Sequence, residues 1–552
     1  MLEGFDPNLI TDLEKAREGF VRLLNLVEEL KRETQQLREE NQRLRDENNR
    51  LKGEQGQPSV KANKKPKEEN TKDHSSEKER KKSQDRAKSS KLENIRIDRE
   101  EIVKVDQETL PEDAQFKGYE EVVVQDLIIK TDNILFRKEK YYSPSQKKTY
   151  LAQVPPGYEG GFGPTIKSQV LALYFGGIMT EPKILEWLRN AQLQISAGQL
   201  SNFLIKNQDK FHQEKDAIYE AGLKSTPWQQ IDDTSTRVDG QNQHCHVVCN
   251  PFYSAYFTMP HKNRLTVLDV LRNFRKPTFL LNIEAYWLLA QFRLSPKIVN
   301  GLKKFPQEQD MDEALFLDLL EKHFPKLGPQ NRQRILESLA IAAYHKHLEF
   351  PVVKLIVCDD APQFHLLTED LALCWVHDGR HYKKLDPYLS CTRKQLEEFQ
   401  SRYWAYYDKL LSYREHPSAE EKEKLSLEFD ILFSTKTGYY ALDDRIKLSK
   451  AKKDCLLMVL DHPEIPLHNN ASELAARQRV RKRDVSFGPR TEDGKDAWDT
   501  FNTILSTAKK LGVNFYQYIY DRISGVRQIP DLSDMIQQKA AEMQLGVSWN
   551  SS

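Results

Sequence analysis

Cysteine is scarce in this chain. Six residues in 552 carry a thiol: Cys245, Cys249, Cys358, Cys374, Cys391 and Cys455. Thiols this sparse, set mostly in apolar or mixed runs, do not make a disulfide framework and suit a reducing cytoplasm. Long hydrophobic runs are missing too. No stretch approaches the roughly 20 apolar residues of a membrane-spanning helix. The start "MLEGFDPNLITDLEKAREG" lacks the basic head and apolar core of a secretory signal. Nor is there an excess of charge of one sign. With 83 Lys and Arg against 82 Asp and Glu, the net charge is +1, so any nucleic-acid contact has to be local. These absences point to a cytoplasmic protein with no membrane partner. What is present is ordinary globular material, 39% hydrophobic and 30% charged, in a chain long enough for two to four domains.

The first pattern is a heptad. Leu23, Leu30, Leu37, Leu44 and Leu51 recur every seven residues, with Phe20, Val27, Thr34, Asn41 and Asn48 at the alternate seam position. Leucine at one position and asparagine at the other favour two parallel helices in one register. Residues 1–52 are therefore expected to form a leucine-zipper coiled coil that makes a homodimer or higher homo-oligomer. The following run, Gly53 to Leu92, has 12 Lys and Arg against 7 Asp and Glu and almost nothing apolar. It cannot offset chain entropy by burial, so residues 53–93 read as a disordered basic linker. Over residues 94–156, "YEEVVVQDLIIKTDNILFRKEKYYSPSQKKTYLAQVP" alternates β-branched and polar residues and predicts a small β module of three short strands. Residues 157–225 turn helical. There "ISAGQLSNFLIK" opens on a serine N-cap and fits either a helix-turn-helix or a plain helical packing unit.

The segment "STPWQQIDDTSTRVDGQNQHCHVVCNPFYSAYFTMPHKN" predicts a three-stranded antiparallel meander, with turns at "DGQN" and "NPFY" and Asp232 and Asp233 on its first strand. Its His244, Cys245, His246 and Cys249 suggest zinc at first sight. Strand alternation sends neighbours to opposite faces, and no second ligand cluster follows, so a strand is the better reading. "FPVVKLIVCDDAPQF" looks like a buried parallel strand tipped by Asp359 and Asp360. "LALCWVHDGRHYKKL" reads as a strand running into a helix, and "IPLHNNASELAARQRVRKR" as a basic helix with the lone acid Glu473 near its head. Each acid taken singly is a salt-bridge partner. Together, an acid on the first meander strand, one at the tip of a buried strand and one opening a basic helix suggest a ribonuclease H-like sheet with a carboxylate triad. Carboxylates held together repel, and Mg²⁺ resolves the repulsion through hard oxygen ligands. Two such ions can clamp the attacking and leaving oxygens of a phosphoryl displacement, while arginines grip the nucleic-acid backbone.

These motifs, in this order, resemble the DDE transposases of the insertion sequence 66 family. "IDDT" matches the family's first acidic triplet with Asp232 in the catalytic place, and "CDDAPQF" matches the second with Asp359 first and Phe364 as the aromatic. Cys374, Trp375, His377 and Arg380 match a Cys-Trp-x-His-x-Arg-Arg signature, and Asn469, Asn470 and Glu473 match Asp-Asn-Asn-x-x-Glu-Arg. "RKRDVSFG" and the helix-like run that ends in "YQYIYDRI" resemble the closing part. The chain departs from the pattern at Gly379, His468 and Leu474, where arginine, aspartate and arginine are usual. It also has no cysteines in 94–156, where the family carries a small zinc module.

The resemblance implies a multidomain α+β and α/β protein. Its ribonuclease H-like catalytic domain would span 226–525, with helical insertions at about 274–349 and 386–460 and a C-terminal tail over 526–552. It implies that Asp232, Asp359 and Glu473 are both catalytic and metal-binding, with Mg²⁺ as cofactor, Mn²⁺ as a substitute and no zinc. Arg477, Arg481, Lys482 and Arg483 would contact DNA, and His377, Arg380, Asn469 and Asn470 would support the active site. The implied partners are double-stranded DNA, as element ends and as target, and accessory proteins of the element. The implied location is the bacterial nucleoid within the cytoplasm. The expected activity is cleavage of element ends and joining of their 3′ hydroxyls to target DNA. Two alternatives stay open: a catalytically silent, transposase-derived DNA-binding protein, and a coiled-coil interaction scaffold.

Overall fold

The computed structural model describes residues 12–51, 95–106, 110–111, 114–347 and 350–550. The linker expected over 53–93 lies entirely outside them. The fold is mixed α+β, built around one mixed five-stranded sheet. Strands β1 (Trp228–Val238), β2 (Gln241–Cys249) and β3 (Ser254–Met259) form the expected meander. The β1–β2 turn is two residues long, Asp239 and Gly240, both with positive φ (48° and 75°). That is the hairpin geometry an Asp-Gly pair favours. Strands β4 (Leu355–Cys358) and β5 (Asp370–Leu373) complete the sheet in the order β3-β2-β1-β4-β5. The β1–β4 and β4–β5 pairs are parallel and the other two antiparallel. All four residues of β4 are buried, as expected of a central strand covered on both faces.

Helical segments lie between the strands of the sheet and after it. Between β3 and β4 lie Ile283–Gln291, Pro296–Leu302, Glu313–His323 and Pro329–His345, together with a small two-stranded sheet, Thr278–Leu280 with Asp310–Asp312. The second insertion holds Ser390–Glu415, Ala419–Leu432 and Tyr440–Lys450. Its core is aromatic: the Trp375 ring packs among Tyr403, Tyr406, Tyr407, Phe429 and Phe433. After it come helix Asn470–Ser486 and helix Glu492–Leu511, the latter lying on β3. Asp499 of that helix accepts from the backbone N–H (2.6 Å) and hydroxyl (2.7 Å) of Thr258.

One expectation needs correction. Of the three short strands expected in 94–156, the structure has one hairpin, Lys140–Ser143 with Lys148–Leu151. The run 119–130 is not a strand; Val122, Val124, Leu127 and Ile128 are exposed and, among the described residues, no segment pairs with it. Alternation supplies the conformation, but a strand also needs a partner ladder. In the expected C-terminal tail, helix Leu532–Met543 buries Leu532 and Ile536 and packs on helix Asp209–Ser225. The N-terminal heptads lie on a single 39-residue helix, Leu13–Leu51. No helix of the described residues is long and apolar enough to cross a membrane.

Candidate functional site

The three acids lie near one another at the middle of the sheet, beside the carboxyl-terminal tip of β4. The parallel register of β1 and β4 pairs Trp228 with Leu355 and Gln230 with Val357. Continued two residues further, the same offset sets Asp232 beside Asp359, which directly follows β4. Adjacent strands lie about 4.8 Å apart, so side chains on the same face at this position interact directly. The Asp359 carboxylate accepts from the Ala361 N–H (3.2 Å), which turns the chain away from the strand.

Glu473 reaches the same place because the head of its helix is fastened to β1. The Asn469 side-chain amide donates to the Ile231 carbonyl (2.7 Å), and the Gln230 amide donates to the His468 carbonyl (2.7 Å). The Asn469 N–H donates to the Cys374 sulfur (3.2 Å), and the Trp375 N–H donates to the Leu467 carbonyl (2.9 Å). Asn469 is fully buried, and its side-chain oxygen accepts from the Ser472 hydroxyl (2.6 Å). The residue before Asp232 is thus tied directly to the turn before Glu473. Asn470 opens helix Asn470–Ser486, and its N–H donates to His468 Nδ1 (3.3 Å).

Proximity shows in the electrostatics. Burial first, then the charge of Asp359 and of Glu473, push the Asp232 carboxyl up to about 7. Burial also raises Asp359, against the favourable charge of His377. Glu473 is held from the far side: His377 Nδ1 lies 3.4 Å from one of its oxygens and Arg380 Nη2 lies 3.2 Å from the other. Arg380 Nη1 is in turn 3.0 Å from His377 Nε2. Among the described residues, Cys374, His377 and Glu473 bring ligand atoms within 4.8 Å of one another. Burial pushes the Cys374 thiol up to about 12, so at neutral pH it stays protonated and is a poor metal ligand. The carboxylate oxygens of Asp232, Asp359 and Glu473 are hard donors, and Asp232 is destabilised as an anion by its neighbours. Such donors suit a divalent oxygen-seeking cation by their chemistry, while among the described residues the three carboxylates do not bring their oxygens within 4.8 Å of one another as a set.

The neighbouring acids are turned elsewhere. Asp233 accepts from the Gln363 amide (2.6 Å) and lies 3.5 Å from the Lys262 ammonium. Asp360 pairs with Lys452 and lies 3.1 Å from His365 Nε2; despite partial burial, those contacts hold it down to about 2.

The basic helix has two faces. Arg477 and Arg481 are exposed and follow Glu473 at intervals of four, on one side. Arg483 is half-buried, and its guanidinium donates to the Ser235 carbonyl (2.5 Å). Lys482 corrects the expectation of a phosphate contact. It is buried, donates to the carbonyls of Tyr174 (2.7 Å) and Met179 (3.3 Å), and sits over the Tyr174 ring. Burial lowers its ammonium to about 7. It docks the helical segment before β1 onto this helix and is out of reach of any DNA. Arg479, also buried, bonds to Thr258 (2.8 Å) and pairs with Asp499 (3.3 Å).

Sequence reasoning missed one support. Arg264 donates to the carbonyls of His365 (2.8 Å) and Pro362 (2.8 Å) and pairs with buried Glu337, clamping the loop that follows Asp359. The contacts span the first insertion, and no local signal announces them.

No family model matches the chain. It is similar to the "Uncharacterized protein y4jO" of Sinorhizobium fredii (strain NBRC 101917 / NGR234), with 32% identity over 306 residues. The match covers 55% of this chain and 94% of that protein.

Proposed function

The chain belongs to the same family as the y4jO protein, and we propose that it is a DNA transposase of the DDE type. The observation that carries this reading is the meeting of Asp232, Asp359 and Glu473, from β1, the tip of β4 and the head of the basic helix, in a sheet of order β3-β2-β1-β4-β5. That order, with three antiparallel strands followed by two parallel ones, supports a ribonuclease H-like catalytic domain.

Asp232, Asp359 and Glu473 would hold Mg²⁺ or Mn²⁺. When bound, the metal supplies Lewis-acid charge for the oxygens of an in-line phosphoryl displacement. The remaining work falls to the chain. Arg477 and Arg481 lie on the side of Glu473 and would bind the phosphate backbone, setting the scissile bond over the carboxylates. Asn469 fixes the separation of Glu473 from Asp232, and Arg264 fixes the loop behind Asp359. His377 and Arg380 orient the Glu473 carboxylate. In the first step water attacks a phosphodiester at an element end and releases a 3′ hydroxyl. In the second, that hydroxyl attacks a target phosphodiester, so one P–O bond forms as one breaks. The partners would be duplex DNA, as inverted-repeat ends and as target, and a second copy of the chain paired through the N-terminal helix.

The test is incubation of the full chain with duplex DNA carrying the inverted repeats that flank its gene, with Mg²⁺ or Mn²⁺. Wild type should nick at the repeat ends, and Asp232→Asn, Asp359→Asn and Glu473→Gln should bind the ends without cutting. A wild type that binds these ends in a salt-sensitive way but never cuts them would be a silent DNA-binding relative. One that shows no such binding would be a scaffold.

A further inference from the structure

Helix Leu13–Leu51 uses two opposite faces. On one, two polar side chains are buried: Asn25, 7% exposed, and Glu28, 6% exposed. Both end on the second helical insertion, far away in sequence. The Glu28 carboxylate accepts from the backbone N–H groups of Tyr388 and Leu389 (2.8 Å each) and from the Thr392 hydroxyl (2.5 Å). These groups form the start of helix Ser390–Glu415, whose own N-cap position, Leu389, has no side chain able to cap it. Asn25 treats helix Tyr440–Lys450 in the same way. Its side-chain oxygen accepts from the Tyr440 N–H (2.8 Å), and its amide donates to the Gly438 carbonyl (2.7 Å). That helix also begins on a residue, Tyr439, that makes no side-chain cap. Helix N-termini leave backbone N–H groups without intrahelical partners, and a side-chain oxygen is their usual remedy. Here both remedies come from one remote helix, spaced three residues apart so that they share a face. Val21 of the same face lies against Gly438, where an added Cβ would sit 3.6 Å from its methyl group.

The leucine seam points the other way. At about 100° per residue, Asn25 and Glu28 lie roughly 140–160° around the helix from Leu23 and Leu30. Leu30, Leu37 and Leu44 are 52%, 58% and 59% exposed, a regular apolar stripe with nothing of this chain over it among the described residues. Its heptad spacing, with Thr34 and Asn41 on the alternate seam, specifies pairing with an identical stripe in one register rather than with an arbitrary apolar surface.

We propose that helix Leu13–Leu51 is a two-faced strut: its Asn25–Glu28 face is clasped onto the second helical insertion, and its leucine face takes the same face of a second copy of this chain. The pairing surface is then attached rigidly to the domain that carries Asp359 and Glu473, rather than hanging from a tether. The inference extends the pairing named above and is independent of the chemistry, because a chain without nuclease activity would give the same results below.

Hydrogen exchange and light scattering on the full chain test it. Wild type should have the mass of a dimer or higher oligomer, with slow exchange at 388–392 and 438–441. The double variant Asn25→Ala, Glu28→Ala should keep that mass while exchange in those two segments accelerates about tenfold or more. The triple variant Leu30→Lys, Leu37→Lys, Leu44→Lys should be monomeric with those segments still slow. Glu28→Gln keeps the shape and one acceptor oxygen, should accelerate 388–392 alone, and carries the test if the alanine pair does not fold. The proposal is overturned by exchange that is unchanged in Glu28→Gln and in the alanine pair, by an alanine pair that is monomeric, or by a lysine variant that keeps the wild-type mass.

Discussion

Replacing Asp232 with asparagine should make the metal-free protein more stable, by an amount that depends on pH. In the fold the Asp232 carboxyl is raised from 3.8 to about 7, by burial first and then by Asp359 and Glu473. The unfolded chain releases this proton near 4, whereas the folded chain keeps it until about 7. Between those values the native state binds more protons than the unfolded state, so stability falls as pH rises. Below pH 4 the penalty is absent; above 7 it is complete. Three pH units correspond to about 4 kcal/mol at most, and partial solvent access reduces this to about 2–3 kcal/mol. Asparagine keeps the oxygen that accepts the Asp233 N–H (2.8 Å) and loses only the charge. Chemical denaturation of wild type and Asp232→Asn in EDTA, from pH 4 to pH 8.5, measures the difference. The two curves should coincide at pH 4 and separate steadily above it, with the variant the more stable. Addition of Mg²⁺ should then stabilise wild type more than the variant, because a cation bound only to the folded state adds its binding free energy. A variant less stable than wild type at pH 8, or a gap that does not change with pH, would refute the convergence of these carboxylates.

Further outcomes follow from the same contacts. Asn469→Ala removes the tie to the Ile231 carbonyl; it should cost about 1–3 kcal/mol of stability and lower DNA cleavage far more than DNA binding. Arg477→Ala and Arg481→Ala should each reduce the salt slope of DNA binding by about one without changing the fold, whereas Lys482→Ala should lower the melting temperature and leave that slope unchanged. Asp360→Asn should retain cleavage. Because its carboxyl is held at about 2 by His365 and Lys452 against partial burial, the variant should lose about 1 kcal/mol at neutral pH, after discounting for exposure. That difference should vanish as pH falls through about 2.

The acids were legible because each sits at a place where local pattern and chemistry coincide. Asp232 lies on a strand bounded by an Asp-Gly turn, and Asp359 ends a four-residue apolar run. Glu473 opens a helix of arginines. At Lys482 periodicity outweighs composition. Ser472, Ala475, Ala476 and Arg479 form the buried stripe of that helix, and Lys482 falls on the same stripe. The strands expected at 119–130 failed for a different reason, since residue preference cannot supply a pairing partner. Asn469 has its place in a motif, but its bond to the backbone beside Asp232 depends on a contact made only by the finished sheet. The caps supplied by Asn25 and Glu28 and the clamp at Arg264 are of the same kind: the partners are remote in the chain, and nothing near either one signals the other.

The order in which the three acids leave the ribosome has a consequence of its own. Asp232 and Asp359 are made first, on strands that can pair as soon as both exist. Glu473 follows only after the whole second insertion, a delay on the order of ten seconds at usual rates of synthesis. During that interval the nascent chain has two of the three carboxylates and lacks the helix that bears Arg477 and Arg481. On the proposed reading, a polypeptide truncated anywhere before Glu473 cannot cut DNA. The proposed nuclease potential would then wait for Asn470–Ser486, which only the closing helices from Glu492 onward follow.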